Sequence, residues 1–492
     1  MGAGLLRGLL LLLLSKMRTF VPFLGVCAAL DNGVGLVPAM GWGTWNLFGC
    51  YDNLYAWTEA DVRGVADALV SSGMAAAGYT FVNLDGGWSN GKRNASDGHR
   101  QIPDPARFPS GSVQPLADYL RAKGLKLGMY RDRSHDAGFE AVDAAHFAAL
   151  GADYVKNDGY GAARAGSPHA NLSSSAIYAL FRDAANATGR PMALNVKFDV
   201  QPTGFKGAAA IANSFRVGRD IRPVWADVER LADIAAAVAA SGASRPGSFA
   251  DLDALEVGVP GREYRCPGGP GPSGTTRTSF CPNRARGCVP TGRDATMSET
   301  EQRTHMALWC MTASPLIAGN DVRNMSAATR AILTAAGPIG VNQDALGVAG
   351  RRVRVEPAGR FETWARPLSG GRFAVLLYNR SASACLPHDD GEVHLDPTPQ
   401  AFWSLLGFSG RANVTDLWSG DALGVHSDNW PPAYAAPSEF LPAGAHGSRF
   451  VLVEPLAGAA WDEGEDEHEC PAWGCRMHRK VAAAAMAVHA TN

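Results

Sequence analysis

Between about residues 36 and 340 the chain repeats one pattern eight times, a short apolar run followed by an amphipathic stretch of helical period. The apolar runs fall at Pro38 to Trp45, Tyr79 to Leu84, Leu125 to Tyr130 and Ala152 to Val155, then at 191–197, 211–216, 247–252 and 314–318. Thr58, with Asp61 three residues on, announces the first helix. Val62, Val65, Ala66, Leu69 and Val70 then recur at helical spacing. Short strands that alternate with helices pair in parallel, because each crossover returns the chain to the same end of the sheet. Eight such units close into an α/β fold of (β/α)8 type, the TIM barrel.

With 492 residues the chain exceeds one barrel, and its texture changes near 345. Alternating β-rich runs follow at Arg352 to Val355, Phe361 to Arg366, Phe373 to Tyr378, Val414 to Trp418 and Arg449 to Val453, which reads as a C-terminal antiparallel β-sandwich. The expected order is a leader over 1–30, a barrel over 31–343, a β domain over 344–458 and an acidic, poorly ordered tail over 459–492. A Gly/Pro/Cys-rich insertion at 258–297 interrupts the barrel. Its Gly269-Pro270-Gly271-Pro272-Ser273-Gly274 has the spacing of a phosphate-cradling turn, but no strand precedes it and no helix follows. Its prolines forbid the turn, so a plain loop is expected.

Forty-five Lys and Arg against 47 Asp and Glu give a net charge of −2 with no long basic run, which excludes nucleic acid as a main partner. Arg7, the run Leu9 to Leu14, then Lys16 and Arg18 before Cys27-Ala28-Ala29 read as a secretory signal. A membrane anchor competes, but the two basic residues leave the run short of the ~20 apolar residues a span requires. No other candidate span follows. Six glycosylation sequons begin at Asn94, Asn171, Asn186, Asn324, Asn379 and Asn413, against about two expected by chance. Eight cysteines remain after the leader, an even number that suits disulfides in an oxidising lumen, with pairing unreadable. Zinc at Cys266, Cys281 and Cys288 matches no zinc spacing. The expectation is a glycoprotein of the secretory pathway, destined for secretion, cell wall or vacuole/lysosome. It needs no metal or cofactor, and a homodimer is one assembly open to it.

In a barrel of this kind, residues at the C-terminal strand ends converge on one pocket. Those ends supply Trp45, Asp85, Tyr130-Arg131-Asp132, Lys156, Asp158, Arg216, Asp220, Asp251 and Asp253. Carboxylates interleaved with cations and aromatics are the inventory of sugar cleavage. One carboxylate attacks or stabilises the oxocarbenium-like centre, a second protonates the leaving oxygen, and the others hold hydroxyls. Each residue has a plainer reading by itself. A lone Asp can cap a helix, Asp251 with Asp253 could form a metal or nucleotide-sugar site, and Trp45 could be core.

Pro38-Ala39-Met40-Gly41-Trp42-Gly43-Thr44-Trp45-Asn46 resembles the opening signature of glycoside hydrolase family 27, the α-galactosidase and α-N-acetylgalactosaminidase family. Phe108-Pro109-Ser110-Gly111, Leu116-Ala117-Asp118-Tyr119, Lys123 to Tyr130, Leu308-Trp309, Ser314 to Ile317 and Asn342 to Val348 are similar to it as well. The resemblance covers about 36–355 and extends more loosely to about 457. It implies a retaining α-glycosidase acting on a small carbohydrate or glycoconjugate. Within Tyr154-Val155-Lys156-Asn157-Asp158-Gly159-Tyr160, Asp158 maps to the nucleophile and Lys156 to a hydroxyl contact. Within Arg216-Val217-Gly218-Arg219-Asp220, Asp220 maps to the acid/base and Arg216 to a hydroxyl contact. Asp85, Trp45 and Tyr130 map to the sugar pocket, and Asp253 to a supporting or subsite carboxylate. On this reading Lys156 favours an ionised Asp158, and ionised Asp158, about 5 Å away, raises the proton affinity of Asp220.

Three positions depart from the family pattern. Gly86 and Gly87 stand where a second Asp and a Cys usually follow Asp85, which removes a sugar contact and the usual partner of Cys50. Tyr160 stands where a Cys is frequent. The segment that reads the sugar's 2-substituent, Leu194-Asn195-Val196-Lys197-Phe198-Asp199, matches neither the galactose nor the N-acetylgalactosamine type, and Asn195 or Lys197 could contact the sugar or serve structure. An N-acetylgalactosaminidase, a transglycosylase and a silent carbohydrate-binding protein on the same scaffold are the alternatives.

Overall fold

The computed structural model describes residues 30–51, 57–133, 135–159, 167–197, 205–267, 276–280, 288–356, 361–381, 401–431 and 446–461. The leader before Leu30, the 269–274 loop and the tail beyond Trp461 lie outside the described residues, whereas the start of the expected tail, Ala460–Trp461, is a strand paired with Phe408–Ser409. Eight parallel strands form one sheet: β1 Met40–Gly43, β2 Phe81–Asn83, β3 Lys126–Asp132, β4 Tyr154–Asp158, β5 Ala193–Lys197, β6 Ser214–Arg216, β7 Phe249–Asp251 and β8 Leu316–Ala318. Their order is β8-β1-β2-β3-β4-β5-β6-β7. Just beyond β7 the sheet closes, where the Leu255 N–H donates to the Ile317 carbonyl at 2.7 Å and the Leu255 carbonyl accepts from the Gly319 N–H at 3.0 Å. All eight apolar runs of the sequence are strands of this (β/α)8 barrel.

Helices α1 Glu59–Ser71, α2 Gln114–Ala122, α3 Glu140–Leu150, α4 Ser174–Ala187, α5 Trp225–Ser241 and α6 Glu299–Met311 alternate with the strands. At the start of α1 the Asp61 carboxylate accepts the Thr58 N–H at 2.9 Å, which satisfies a backbone donor that the helix cannot. Val62, Val65, Ala66 and Leu69 are fully buried, whereas Val70 is 45% exposed. Positions i, i+3, i+4 and i+7 already fill the stripe that faces the barrel, and Val70 falls at its border.

The C-terminal sheet contains β9 Arg351–Val355, β10 Phe361–Leu368, β11 Arg372–Asn379, β12 Arg411–Asp416, β13 Ala422–Ser427 and β14 Ser448–Pro455, antiparallel in the order β9-β10-β11-β14-β12-β13. Alternation along β11 gives the sheet two apolar faces. Ala374, Leu376 and Tyr378 join the barrel core, while Phe373, Val375 and Leu377 join an outer cluster with Trp403, Phe408 and Trp430. Polar contacts fix the docking, with the Tyr378 hydroxyl donating to Glu229 at 2.8 Å and Arg352 and Arg380 each donating to Asp233 at 2.7 Å, both acceptors on α5. In strand β13 Leu423 packs against the outer cluster, and four of the six residues are exposed.

The insertion carries regular structure on either side of its 269–274 segment. Arg262–Pro267, Thr276–Ser279 and Val289–Asp294 form a three-stranded antiparallel sheet, and a disulfide joins Cys266 to Cys288. That bond engages two of the three cysteines weighed for zinc. Among the described residues no helix is long and apolar enough to cross a membrane.

Candidate active site

Strand register brings the candidate residues together. Strand β4 pairs with β5 through Lys156–Asn195 and Asn157–Val196, β5 with β6 through Lys197–Arg216, and β6 with β7 through Arg216–Asp251. Because side chains alternate, Lys156, Asp158, Asn195, Lys197, Arg216 and Asp251 share one face at the C-terminal strand ends. Arg131 belongs to the other face. It donates to Asn157 at 3.1 Å and pairs with Asp143 and Glu140 on α3, so it does not join the ring of strand-end groups.

The Lys156 ammonium donates to Asp85 at 2.6 Å and lies 3.9 Å from Asp158. Asp85 is fixed in turn, its N–H donating to the Thr44 hydroxyl at 2.9 Å and its carboxylate accepting the Gly86 N–H at 2.7 Å. Asp158 is buried and accepts the Gly159 N–H at 2.8 Å. Burial works against the charge of Lys156, but Asp85 and Asp158 outweigh it and raise its pKa above the ordinary lysine value. Tyr130 stands beside this group, its ring centroid 5.8 Å from the Lys156 ammonium. Burial, then Asp158 and Asp85, push its phenol far upward, so it stays neutral and able to donate. Trp45 opens the helical turn that follows β1 at the same end of the barrel, half-buried, its ring against Gly49.

Arg216 holds the other wall. Its guanidinium reaches Asp253 at 2.5 Å and Asp220 at 3.3 Å. Asp253 has φ +79°, a left-handed conformation uncommon outside glycine. Three further bonds hold it there. Its N–H donates to Asp251 at 2.8 Å, its carbonyl accepts the Trp309 indole N–H at 2.9 Å, and its carboxylate accepts the Ile221 N–H at 2.8 Å. Strain of this kind persists where the surroundings over-determine it. A separate cavity of about 380 Å³ opens at the opposite end of the barrel, lined by Pro38, Met40, Phe81, Lys126, Asp153 and Asn213 among others, and contains none of these carboxylates.

The family profile described as "Alpha galactosidase A" matches residues 37–264 and 292–344, and that of the "Alpha galactosidase C-terminal beta sandwich domain" matches 358–442. A probable alpha-galactosidase of Dictyostelium discoideum is 32% identical over 412 residues, spanning 82% of this chain and 90% of its own length. Alpha-galactosidase 3 of Arabidopsis thaliana is 35% identical over 403 residues, 79% of this chain and 77% of that one. The crystal structure of alpha-galactosidase I from Mortierella vinacea superposes with a TM-score of 0.66 at 26% identity, covering 87% of this chain and 99% of that chain. The chain belongs to glycoside hydrolase family 27. It is a glycosidase of α-galactosidase type, and its substrate is a carbohydrate.

Within this family 27 enzyme, the two glycines after Asp85 differ in what they tolerate. A Cβ on Gly86 would lie 3.6 Å from the Tyr130 ring, an ordinary contact, so packing does not exclude a side chain there. Gly87 has φ +95°, a conformation in which a Cys would be strained. Tyr160, Phe198 and Asp199 lie outside the described residues. Asn195 donates to Asp251 at 2.7 Å and to the Ser214 hydroxyl at 2.9 Å, which engages both of its N–H donors within the protein.

Lys197 is the group that sequence reasoning left undecided. Its ammonium donates to Asp220 at 2.7 Å and stands 3.8 Å from Asp158. A raised proton affinity of Asp220 is not the net outcome of its surroundings. Burial does raise it, but Arg216 and Lys197 outweigh burial and hold the Asp220 carboxyl well below the usual range. A lysine closing an otherwise apolar and amide strand was the one available signal, and its partners are fixed only by tertiary register.

Proposed function

We propose that this enzyme removes terminal non-reducing α-D-galactose residues from oligosaccharides or glycoconjugates by double displacement. Asp158 attacks the anomeric carbon while the bond to the leaving oxygen breaks and Asp220 protonates that oxygen. Water then attacks the same carbon, gives its proton to Asp220, and the bond to Asp158 breaks with overall retention. Lys156 with Asp85, Arg216 with Asp253, Tyr130 and Trp45 hold the sugar. The observation that carries this reading is the bridge through Lys197. Its distances of 3.8 and 2.7 Å leave the two carboxylate oxygens it faces no more than about 6.5 Å apart. Retention uses a carboxyl separation of about 5–5.5 Å, whereas inversion needs about 6.5–9.5 Å to seat a water. The names of the relatives support galactose as the sugar.

Passage through the secretory pathway belongs to the same proposal. Five sequon asparagines, Asn94, Asn171, Asn186, Asn324 and Asn413, are exposed. Asn379 is buried and its side chain accepts the Ser381 N–H, so it is not an acceptor in the folded protein. The Cys266–Cys288 disulfide suits an oxidising lumen.

A panel of aryl glycosides assayed with wild type and Asp158→Asn tests the activity. The α-galactoside is cleaved by wild type, and the variant loses on the order of 10³-fold or more in kcat. Cleavage of no α-glycoside, or turnover undiminished in the variant, overturns the reading.

A further inference from the structure

Lys197 ends β5, and the strand's alternation turns its side chain into the barrel between β4 and β6. The side chain is 2% exposed, so its contacts form without competing water. We propose that Lys197 is a positioning residue of the hydrolysis, whose ammonium bridges Asp158 and Asp220, fixes their separation and sets the upper pH at which Asp220 still carries its proton. The proposal rests on the roles given above to those two carboxylates.

Charged and titratable groups face the bridge from β3, β4, β6 and β7 and from the segments after β2 and β7. Lys156 lies on β4, Asp85 follows β2, Tyr130 lies on β3, Arg216 on β6, Asp251 on β7, and Asp253 follows β7. Lys156 is engaged by Asp85, and Arg216 by Asp253 at 2.5 Å with a longer reach of 3.3 Å to Asp220. Lys197 makes a shorter contact to Asp220 than Arg216 does and is within 4 Å of Asp158 as well. Its own charge is secure: burial and Arg216 oppose it, yet Asp158 and Asp220 raise its pKa above the ordinary lysine value. An opposite charge this close favours the carboxylate over the acid. A general acid must be protonated when the leaving oxygen departs, so Lys197 moves the working range of Asp220 towards acid pH.

Profiles of kcat/KM against pH for wild type, Lys197→Met and Lys197→Arg on an aryl α-galactoside test this. The Met variant is expected to shift the alkaline limb upward by about one to three pH units, with Arg keeping it near the wild-type position. An unmoved limb with merely lower kcat/KM overturns the proposal, since a purely structural lysine would behave that way. Should Lys197→Met fail to fold, Lys197→Gln replaces it with the same expected shift. A second readout does not need turnover. In full-length protein labelled at aspartate Cγ with 13C, and with the Asp220 signal assigned through Asp220→Asn, Asp220 should titrate at higher pH in the Met variant than in wild type. Equal midpoints overturn the proposal. A wild type that cleaves no α-glycoside counts against the hydrolase reading, and the carboxyl titration still decides the role of Lys197.

Discussion

The ammonium of Lys156 lies 2.6 Å from Asp85 and 3.9 Å from Asp158, so one cation ties the end of β2 to the end of β4. Removing it leaves two buried carboxylates without their shared partner. Lys156→Met should lower kcat/KM on an α-galactoside by about 10²–10³-fold, the scale of losing a preorganised charge contact in an active site. Steady-state kinetics with a folding check by circular dichroism measure it. A loss under roughly tenfold contradicts the role.

Arg216 and Asp253 form the second buried pair, at 2.5 Å. Asp253→Ala removes the nearest carboxylate partner of a guanidinium that is 2% exposed, and the acceptor of the Ile221 N–H. Urea unfolding should show a loss of about 3–5 kcal/mol, as for other buried pairs deprived of one partner. Asp253→Asn keeps the acceptor for Ile221 and should cost less. An alanine variant as stable as wild type would contradict this account of the wall.

Gly86 and Gly87 make opposite predictions at adjacent positions. Gly86→Ala meets only an ordinary contact with Tyr130 and should alter stability by no more than about 0.5 kcal/mol. Gly87→Ala must adopt φ +95° and should lose about 1–2 kcal/mol. Thermal denaturation of the two variants side by side distinguishes them, and equal midpoints would refute the difference.

Stability should also depend on pH through His305 in α6. Its Nε2 accepts the Glu256 N–H at 3.0 Å, which leaves the ring proton on Nδ1, and burial pushes its pKa down to about 3. The unfolded chain, with an ordinary histidine pKa near 6.5, takes up this proton first as pH falls. Stability is therefore full above about pH 6.5 and declines towards pH 3, by up to about 1.4 kcal/mol per pH unit. His305→Gln should flatten that decline relative to wild type in urea titrations at pH 7, 5 and 4. Parallel declines in both proteins would show that His305 does not contribute.

The barrel was legible because each strand is a compact apolar run and each helix a periodic one, and burial enforces both patterns. The strand-end rule then gathered Asp85, Lys156, Asp158, Arg216 and Asp253 before any coordinates. What stayed hidden has a common cause. The insertion's outer strand, Val289–Asp294, is exposed at five of its six positions, so no apolar alternation marked it, and disulfide pairing depends on proximity that sequence does not encode. Strand ends taken whole place Arg131 in the ring, whereas alternation sends it to Asp143 and Glu140. The cations that hold Asp220 are illegible in the sequence for a similar reason. Lys197 lies 23 residues earlier in the chain, and only the β5–β6 register brings it to 2.7 Å.

The central claim is that Asp158 forms the covalent glycosyl intermediate. Incubation with a fluorinated α-galactosyl fluoride, which forms that intermediate but releases it slowly, followed by proteolysis and mass spectrometry, locates the bond. The account predicts a galactosyl adduct on the peptide carrying Asp158, at the Asp158 carboxylate. An adduct on Asp220 or another carboxylate, with Asp158 unmodified, would contradict it.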